Sequence, residues 1–169
     1  PTWFTIRLSQ EGFEALMASS QVLAAFNRIT AGADIADLPR GGVCLYPEEW
    51  RGLPLRDDVH NYAVPVEQFL REAGISGKIK DYVANMVYLG ALAQLLNVPA
   101  AFIDEALAFH FGQRRALVEQ NMAVVRAAYE WAAANIKKLD PYRVEAQELT
   151  TGKILITGNE AAALGAVFG

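Results

Sequence analysis

Hydrophobic and polar positions along the chain change rhythm near its middle. In the first sixty-odd residues the apolar positions come in short runs: WFTIRL at 3–8 alternates large apolar and polar residues, VLAAF at 22–26 and GGVCLY at 41–46 are nearly continuous, and NYAV at 61–64 precedes Pro65. Alternation and short apolar runs bounded by turn residues predict strands, with the Pro39-Arg40-Gly41-Gly42 turn introducing the third. A short helix is expected between the first two, within EGFEALMASS at 11–20. After Pro65 the spacing becomes helical through VEQFLREAG, DYVANMVYLGALAQLL, AAFIDEALAFHF and RRALVEQNMAVVRAAYEWAAAN. Residues 81–96 are apolar nearly all round, which predicts a helix buried at the centre, with Gly90 marking a close approach of another backbone. Near-continuous apolar strands suit a sheet covered on both faces, so the expected class is α/β with a helical C-terminal half.

Residues 136–152, IKKLDPYRVEAQELTTG, are polar, contain Pro141, and read as a linker. The last seventeen residues, KILITGNEAAALGAVFG, then restart a pattern: an aliphatic run at 154–156, turn and N-cap chemistry at Thr157, Gly158 and Asn159, and an alanine-rich helix opening at Glu160. Leu164, Val167 and Phe168 would be left either folding back on the domain or uncovered. The chain starts at Pro1 without an initiator methionine. Together these features raise the expectation that it is a piece of something longer.

With 169 residues, 53% hydrophobic and 20% charged, the chain has enough apolar surface for a filled core and does not need a disulfide staple. A net charge of −4 with dispersed Lys and Arg offers no continuous basic stripe, which argues against nucleic acid as a partner. No apolar stretch reaches the ~20 residues of a membrane helix and no signal sequence opens the chain, so the cytoplasm is the expected compartment and a membrane is not an expected partner. The single cysteine, Cys44, sits in an apolar run with no His or Lys nearby and reads as a buried small hydrophobe.

Candidate chemistry is sparse. His60 and His110 lack partners at metal spacing, Ser19, Ser20, Thr150 and Thr151 lack a base in any recognisable motif, and neither GxGxxG nor GxxxxGK[ST] occurs. No catalytic and no metal-ligating residue is therefore assigned. Arg114 and Arg115 open a long helix, where cations oppose the positive end of the helix dipole; a bound anion would relieve that conflict, and so would simple solvation. Ligands of open α/β sheets gather beyond strand ends, which singles out Asn27 after VLAAF, Tyr46 after GVCL, and the approach to Pro65.

Three stretches, taken in order, resemble the 2-oxoacid:ferredoxin oxidoreductase family. VLAAFNRITAGADIADLPRGGVCLY is similar to the strand, Asn, amphipathic helix and Gly-Gly-strand unit of its gamma-type domain. KDYVANMVYLGALAQLLNVPAAFIDEALAFHFGQRRALVEQNMAVVRAAYEWA resembles that domain's helical half through Asn85, Met86, Leu89, Gly90, Ala91, Leu92, Phe111, Gly112, Glu119, Asn121, Ala127 and Tyr129. TGNEAAALGAV is similar to the opening of the alpha, or pyrimidine-binding, domain. The family's Gly-x-Gly-Gly-x-Gly loop has no counterpart here, and Gln113, Arg114 and Arg115 stand where relatives carry Lys-Gly.

The resemblance implies a Rossmann-like sheet truncated at its first strand and glycine-rich loop. It divides the chain into an incomplete gamma-type domain at 1–136, a linker at 137–152, and the first strand and helix start of the alpha domain at 153–169. It implies membership in an enzyme that decarboxylates a 2-oxoacid, with 2-oxoglutarate favoured, on thiamine diphosphate, and that passes electrons through iron-sulfur clusters to ferredoxin and releases an acyl-coenzyme A. This piece would serve assembly and hold coenzyme A through Asn27, Tyr46, Asn85, Arg114 and Arg115, while being inactive alone. Its expected partners are the alpha-domain remainder and the thiamine diphosphate-binding beta subunit, with ferredoxin reached through the whole enzyme. The competing expectation is a freestanding, non-catalytic α/β module that binds a nucleotide or coenzyme A.

Overall fold

The structure, a computed structural model, describes residues 3–11, 15, 17–112, 114–147, 151–154 and 156–168. Gly12, Phe13, Glu14 and Leu16 of the helix expected at 11–20, together with Gln113, Thr150 and Leu155, lie outside them, and the described residues of that stretch are not helical. Three strands, β1 (Val22–Ala24), β2 (Val43–Pro47) and β3 (His60–Val64), form one parallel sheet in the order β1-β2-β3, with Val22 opposite Val43 and Val43 opposite His60. The helix α1 (Ala31–Ala36) connects the first two. Next come α2 (Val66–Glu72), a 3-10 turn at Gly77–Ile79, α3 (Lys80–Leu95), α4 (Ala100–Phe111), α5 (Arg115–Asn135) and α6 (Gly158–Phe168). The fold is α/β and Rossmann-like, with a small parallel sheet and helices.

Side chains on a strand alternate between faces, and here the two faces bury different partners. Val43, Leu45, Tyr62 and Val64 point to one face and pack with Phe69 and Leu70 of α2, Val83, Val87 and Ala91 of α3, and Val124, Ala128 and Ala132 of α5. Leu23, Cys44 and Tyr46 point to the other, where they meet Ile35, Leu38 and Val59. A further cluster of Ala93, Ile103, Leu107, Val118, Met122 and Val125 binds α3, α4 and α5 together. As its all-round apolar pattern predicts, α3 is central, burying Val83, Val87, Tyr88, Gly90, Ala91, Ala93 and Leu95. A Cβ on Gly90 would run into the carbonyl oxygen of Val125 and crowd Ala128, so the glycine lets α5 lie directly on α3.

The Gly-Gly pair before β2 is explained by geometry. Gly41 has φ of +74°, and a Cβ on Gly42 would lie 2.9 Å from the carbonyl oxygen of Pro39. Arg56 ties the β2–β3 connection to α1: it grips Asp58 through two nitrogens, at 3.0 and 2.9 Å, and donates to the carbonyls of Ile35, Ala36 and Leu38 at the end of that helix. The Ile35 carbonyl also accepts from Leu38 N–H at 3.3 Å, whereas a helix-terminal carbonyl such as that of Ala36 has no intrahelical donor of its own.

At two expected strands no described residue is in a strand. Residues 3–8 have no regular secondary structure, and Trp3, Phe4, Ile6 and Leu8 are exposed; Ile154 and Ile156 lie likewise outside any strand. Alternation prepares a segment for a sheet, but a strand exists only when its backbone donors and acceptors pair with a neighbouring strand, and the sheet described here consists of β1, β2 and β3. The helix beginning near Glu160 does form. Its start is a reciprocal capping arrangement: Thr157 N–H donates to the Glu160 carboxylate at 2.7 Å and Glu160 N–H to the Thr157 hydroxyl at 3.3 Å. None of its residues is buried.

Candidate functional site

Beyond the carboxyl ends of the three strands the chain builds a rigid edge. Tyr88, buried in α3, donates its hydroxyl to the carbonyl of Ala25 at 3.0 Å, and its ring meets that of Phe26 edge-on with centroids 4.4 Å apart. Asn27 follows: its side-chain oxygen accepts from Ile29 N–H at 2.9 Å and its carbonyl accepts from Ala31 N–H at 3.0 Å, so the residue turns the chain into α1. Arg28 donates to the carbonyl of Arg51 at 3.0 Å, joining this turn to the loop after β2. From that loop Glu49 accepts from Glu67 N–H at 2.7 Å, and Glu67 pairs with Lys80 at 2.7 Å.

These contacts fix the course of α3. Lys80, at its start, sits by the residues that follow β3; Tyr88, two turns later, sits by the residue that follows β1. Eight residues of helix rise about 12 Å, comparable to the roughly 9.5 Å that separates the outer strands of three. The start of α3 is thus tied to the residues that follow β3 and Tyr88 to the residues that follow β1, and Asn85 is exposed one turn before Tyr88.

The predicted site residues accordingly divide. Asn27 lies in the turn after β1, at the carboxyl edge, and Asn85 is exposed on α3 one turn before Tyr88, whose ring meets that of Phe26. Tyr46 is near it along β2 but its side chain faces the α1 side of the sheet, packed against Ile35, Leu38, Cys44 and Val59. Burial, with Cys44 and Glu48 nearby, pushes its hydroxyl above the ordinary tyrosine range. Arg114 and Arg115 lie elsewhere, at the corner between α4 and α5. Arg114 donates to the Phe111 carbonyl at 3.3 Å and stands 5.9 Å from the centre of its ring. Arg115 lines a hollow of about 420 Å³ with Asp104, Glu119 and Arg126, of which Asp104 and Arg126 are paired at 3.1 Å. The hollow's two cations are matched by two carboxylates, which offers an anion little net attraction.

Phe26, Glu49 and Tyr88 were not singled out from the sequence. Phe26 stands next to Asn27 and could have been found by asking why a large apolar residue ends a strand; Tyr88 gives no such signal inside an apolar helix. Cys44 is buried and its thiol is pushed up to about 12 by burial, so it is not a nucleophile at neutral pH. His60 begins β3, and His110 is in the last turn of α4 with its ring against Phe111. Ser19 and Ser20 line a second hollow of about 350 Å³ with Trp3, Leu23, Asp34 and Asp37, and no histidine or lysine is among its lining residues. Among the described residues no group of three His, Cys, Asp or Glu side chains could hold a metal ion, and no helix is long and apolar enough to cross a membrane.

The family model described as pyruvate ferredoxin/flavodoxin oxidoreductase matches residues 1–131. This chain belongs to that family. Two solved structures are similar to it. One is a 2-oxoglutarate:ferredoxin oxidoreductase from Magnetococcus marinus with 2-oxoglutarate, coenzyme A and succinyl-CoA bound: 25% identity, TM-score 0.73, covering 87% of this chain and 25% of that one. The other is the gamma subunit of a keto/oxoacid ferredoxin oxidoreductase from Geobacter sulfurreducens PCA: 25% identity, TM-score 0.54, covering 68% of this chain and 64% of that one. No curated protein matches the sequence. The chain thus spans about a quarter of the first structure's chain and less than two thirds of the second's. The family is named for an oxidoreductase, and the second of the two structures is a gamma subunit.

The donor set bears on the family's cofactors. An iron-sulfur cluster is held by several cysteine thiolates, and this chain has one cysteine, buried in β2. Its residues do not fit a cluster. An organic co-substrate is different: the carboxyl edge presents the exposed Asn27 amide and Phe26 ring at the place where parallel sheets receive ligands.

Proposed function

We propose that this chain is the gamma-type portion of a 2-oxoacid:ferredoxin oxidoreductase, that 2-oxoglutarate is its oxoacid, and that it serves assembly and holds coenzyme A at the carboxyl edge of the sheet. Residues 153–169 are then the opening of the alpha domain, and residues 1–136 the gamma-type domain. One observation carries this reading: the likeness over 87% of the chain to an oxidoreductase whose structure holds 2-oxoglutarate, coenzyme A and succinyl-CoA. In the assembled enzyme the reaction consumes a 2-oxoacid and coenzyme A, releases carbon dioxide and an acyl-coenzyme A, and delivers two electrons to ferredoxin. Thiamine diphosphate, which the partner subunit would hold, would supply the electron sink for decarboxylation, and the clusters that would carry the electrons would belong to other parts of the enzyme. The residues here bind and orient; they do not react. Asn27 and Asn85 offer amide donors and acceptors to coenzyme A, with Phe26 as an apolar surface held in place by Tyr88. Tyr46, Arg114 and Arg115 are weaker candidates on this geometry, since the first faces α1 and the arginines sit at the α4–α5 corner.

The test uses the chain assembled with its partner subunits. Ferredoxin reduction dependent on 2-oxoglutarate and coenzyme A is expected, with saturable coenzyme A binding by calorimetry that weakens about tenfold in the Asn27→Ala, Asn85→Ala double variant. Turnover with pyruvate and none with 2-oxoglutarate would overturn the choice of oxoacid. Coenzyme A binding by this chain without ferredoxin reduction by any oxoacid would instead favour a freestanding binding module, and unchanged affinity in the double variant would remove the site from this edge.

A further inference from the structure

Residues 136–147 follow α5 with neither helix nor strand, yet they carry a buried charge. The Asp140 side chain is 2% exposed. A carboxylate taken out of water is costly unless each oxygen is met, and here both are. Oδ2 accepts from the Tyr62 hydroxyl at 2.8 Å, and Oδ1 accepts from Lys138 and from Tyr142 N–H, the latter at 3.0 Å. The Tyr62 oxygen in turn accepts from the backbone N–H groups of Leu139 and Asp140, at 2.8 and 3.3 Å. One hydroxyl in the middle of β3 thus binds a segment 77 and 78 residues further along the chain through three hydrogen bonds. On either side of this node Ile136 and Tyr142 rest on the main core, and Val144 N–H donates to the carbonyl of Leu96, just past α3, at 2.7 Å.

We infer that residues 136–147 are a strap latched to the domain by the Tyr62–Asp140 pair, which detaches as one unit when the latch is broken while α3 and α5 stay packed. The unit is cooperative because losing one partner strands a buried carboxylate or phenol, so partial opening gains nothing over complete opening. It is local because α3 and α5 are held by their own interface, through Gly90 against Val125 and Ala128, which the strap does not form. Closed, the strap fixes where the chain leaves the domain, beside the end of α3. The inference stands whether or not the chain holds coenzyme A.

Hydrogen exchange on the full chain, comparing the unsubstituted protein with Tyr62→Phe and Asp140→Asn, reads this directly. Tyr62→Phe keeps the ring in the core and removes only the hydroxyl, so it remains informative if Asp140→Asn folds poorly. Slow exchange at Leu139, Asp140, Tyr142 and Val144 is expected in the unsubstituted protein, accelerating about tenfold to a hundredfold in both variants with α3 and α5 unchanged. Fast exchange of the strap before substitution, unchanged exchange after it, or equal acceleration in α3 and α5 would each overturn the inference.

Discussion

Two regions of this molecule carry nearly the same kind of sequence and end in opposite states. VCLYP, Val43–Pro47, is an aliphatic run that became the central strand, with Val43, Cys44 and Leu45 buried. WFTIRL at 3–8 and the aliphatic run at 154–156 have comparable apolar content, yet no described residue of either is in a strand, and Phe4 is 89% exposed. The helices show the same contrast. The stretch KDYVANMVYLGALAQL of α3 buries seven residues, whereas α6, with Leu164, Val167 and Phe168 along it, buries none. Apolar patterning gives a segment the capacity to be covered; whether it is covered depends on a neighbour that the pattern itself does not supply.

That contrast can be broken from either side. The largest effect is expected at Gly90→Ala. Alanine would favour the helix by up to ~1 kcal/mol, but its methyl meets a backbone carbonyl that cannot rotate away, and overpacking costs about 1–3 kcal/mol or more. The clash wins, and urea denaturation should show a net loss of roughly 2 kcal/mol; a gain in stability would mean that α3 and α5 are not in register as described.

A middle-sized effect is expected from acid. Burial alone would raise the Asp140 carboxyl, but Lys138, Tyr62 and the Tyr142 N–H outweigh it and hold the group below its usual range. A depressed folded value means the stabilisation is fully present above the ordinary aspartate pKa of about 3.9 and is lost as pH falls through the folded value. Asp140→Asn should therefore flatten part of the stability loss below about pH 4, measured by denaturation at several pH values. An unchanged acid limb would show that Asp140 is solvated.

The smallest effect is expected at Phe168→Ser, within about 0.5 kcal/mol, because the side chain covers nothing that folding buries. A loss above about 1 kcal/mol in the same denaturation assay would mean that α6 packs in solution and that the two regions are more alike than they look.

Much of the fold is legible in the sequence because local patterning carries it. The strands at 43–47 and 60–64 and the four helices after Pro65 fall within a few residues of where alternation, turn residues and helical spacing put them. Gly90 and the Gly41-Gly42 pair even announce the close approaches that require them. The candidate edge is only half legible: Asn27 is visible as the residue after a strand, whereas Glu49 and Tyr88 gain their places through partners 18 and 63 residues away. The turning of the Tyr46 side chain toward α1, and the placement of Arg114 and Arg115 at the α4–α5 corner, follow from packing that no spacing encodes.

Residue order and side-chain chemistry alone determined the helices after Pro65, the central position of α3, the capping of α6 and the lack of thiolate ligands for a cluster, since each depends on neighbours within a few positions or on composition. Only the tertiary structure decided which apolar runs became strands, which way Tyr46 faces, and that a polar stretch with a proline is bound to β3 through Asp140. Those outcomes depend on backbone partners and desolvation supplied by residues far along the chain, and such partners exist only once the chain has folded.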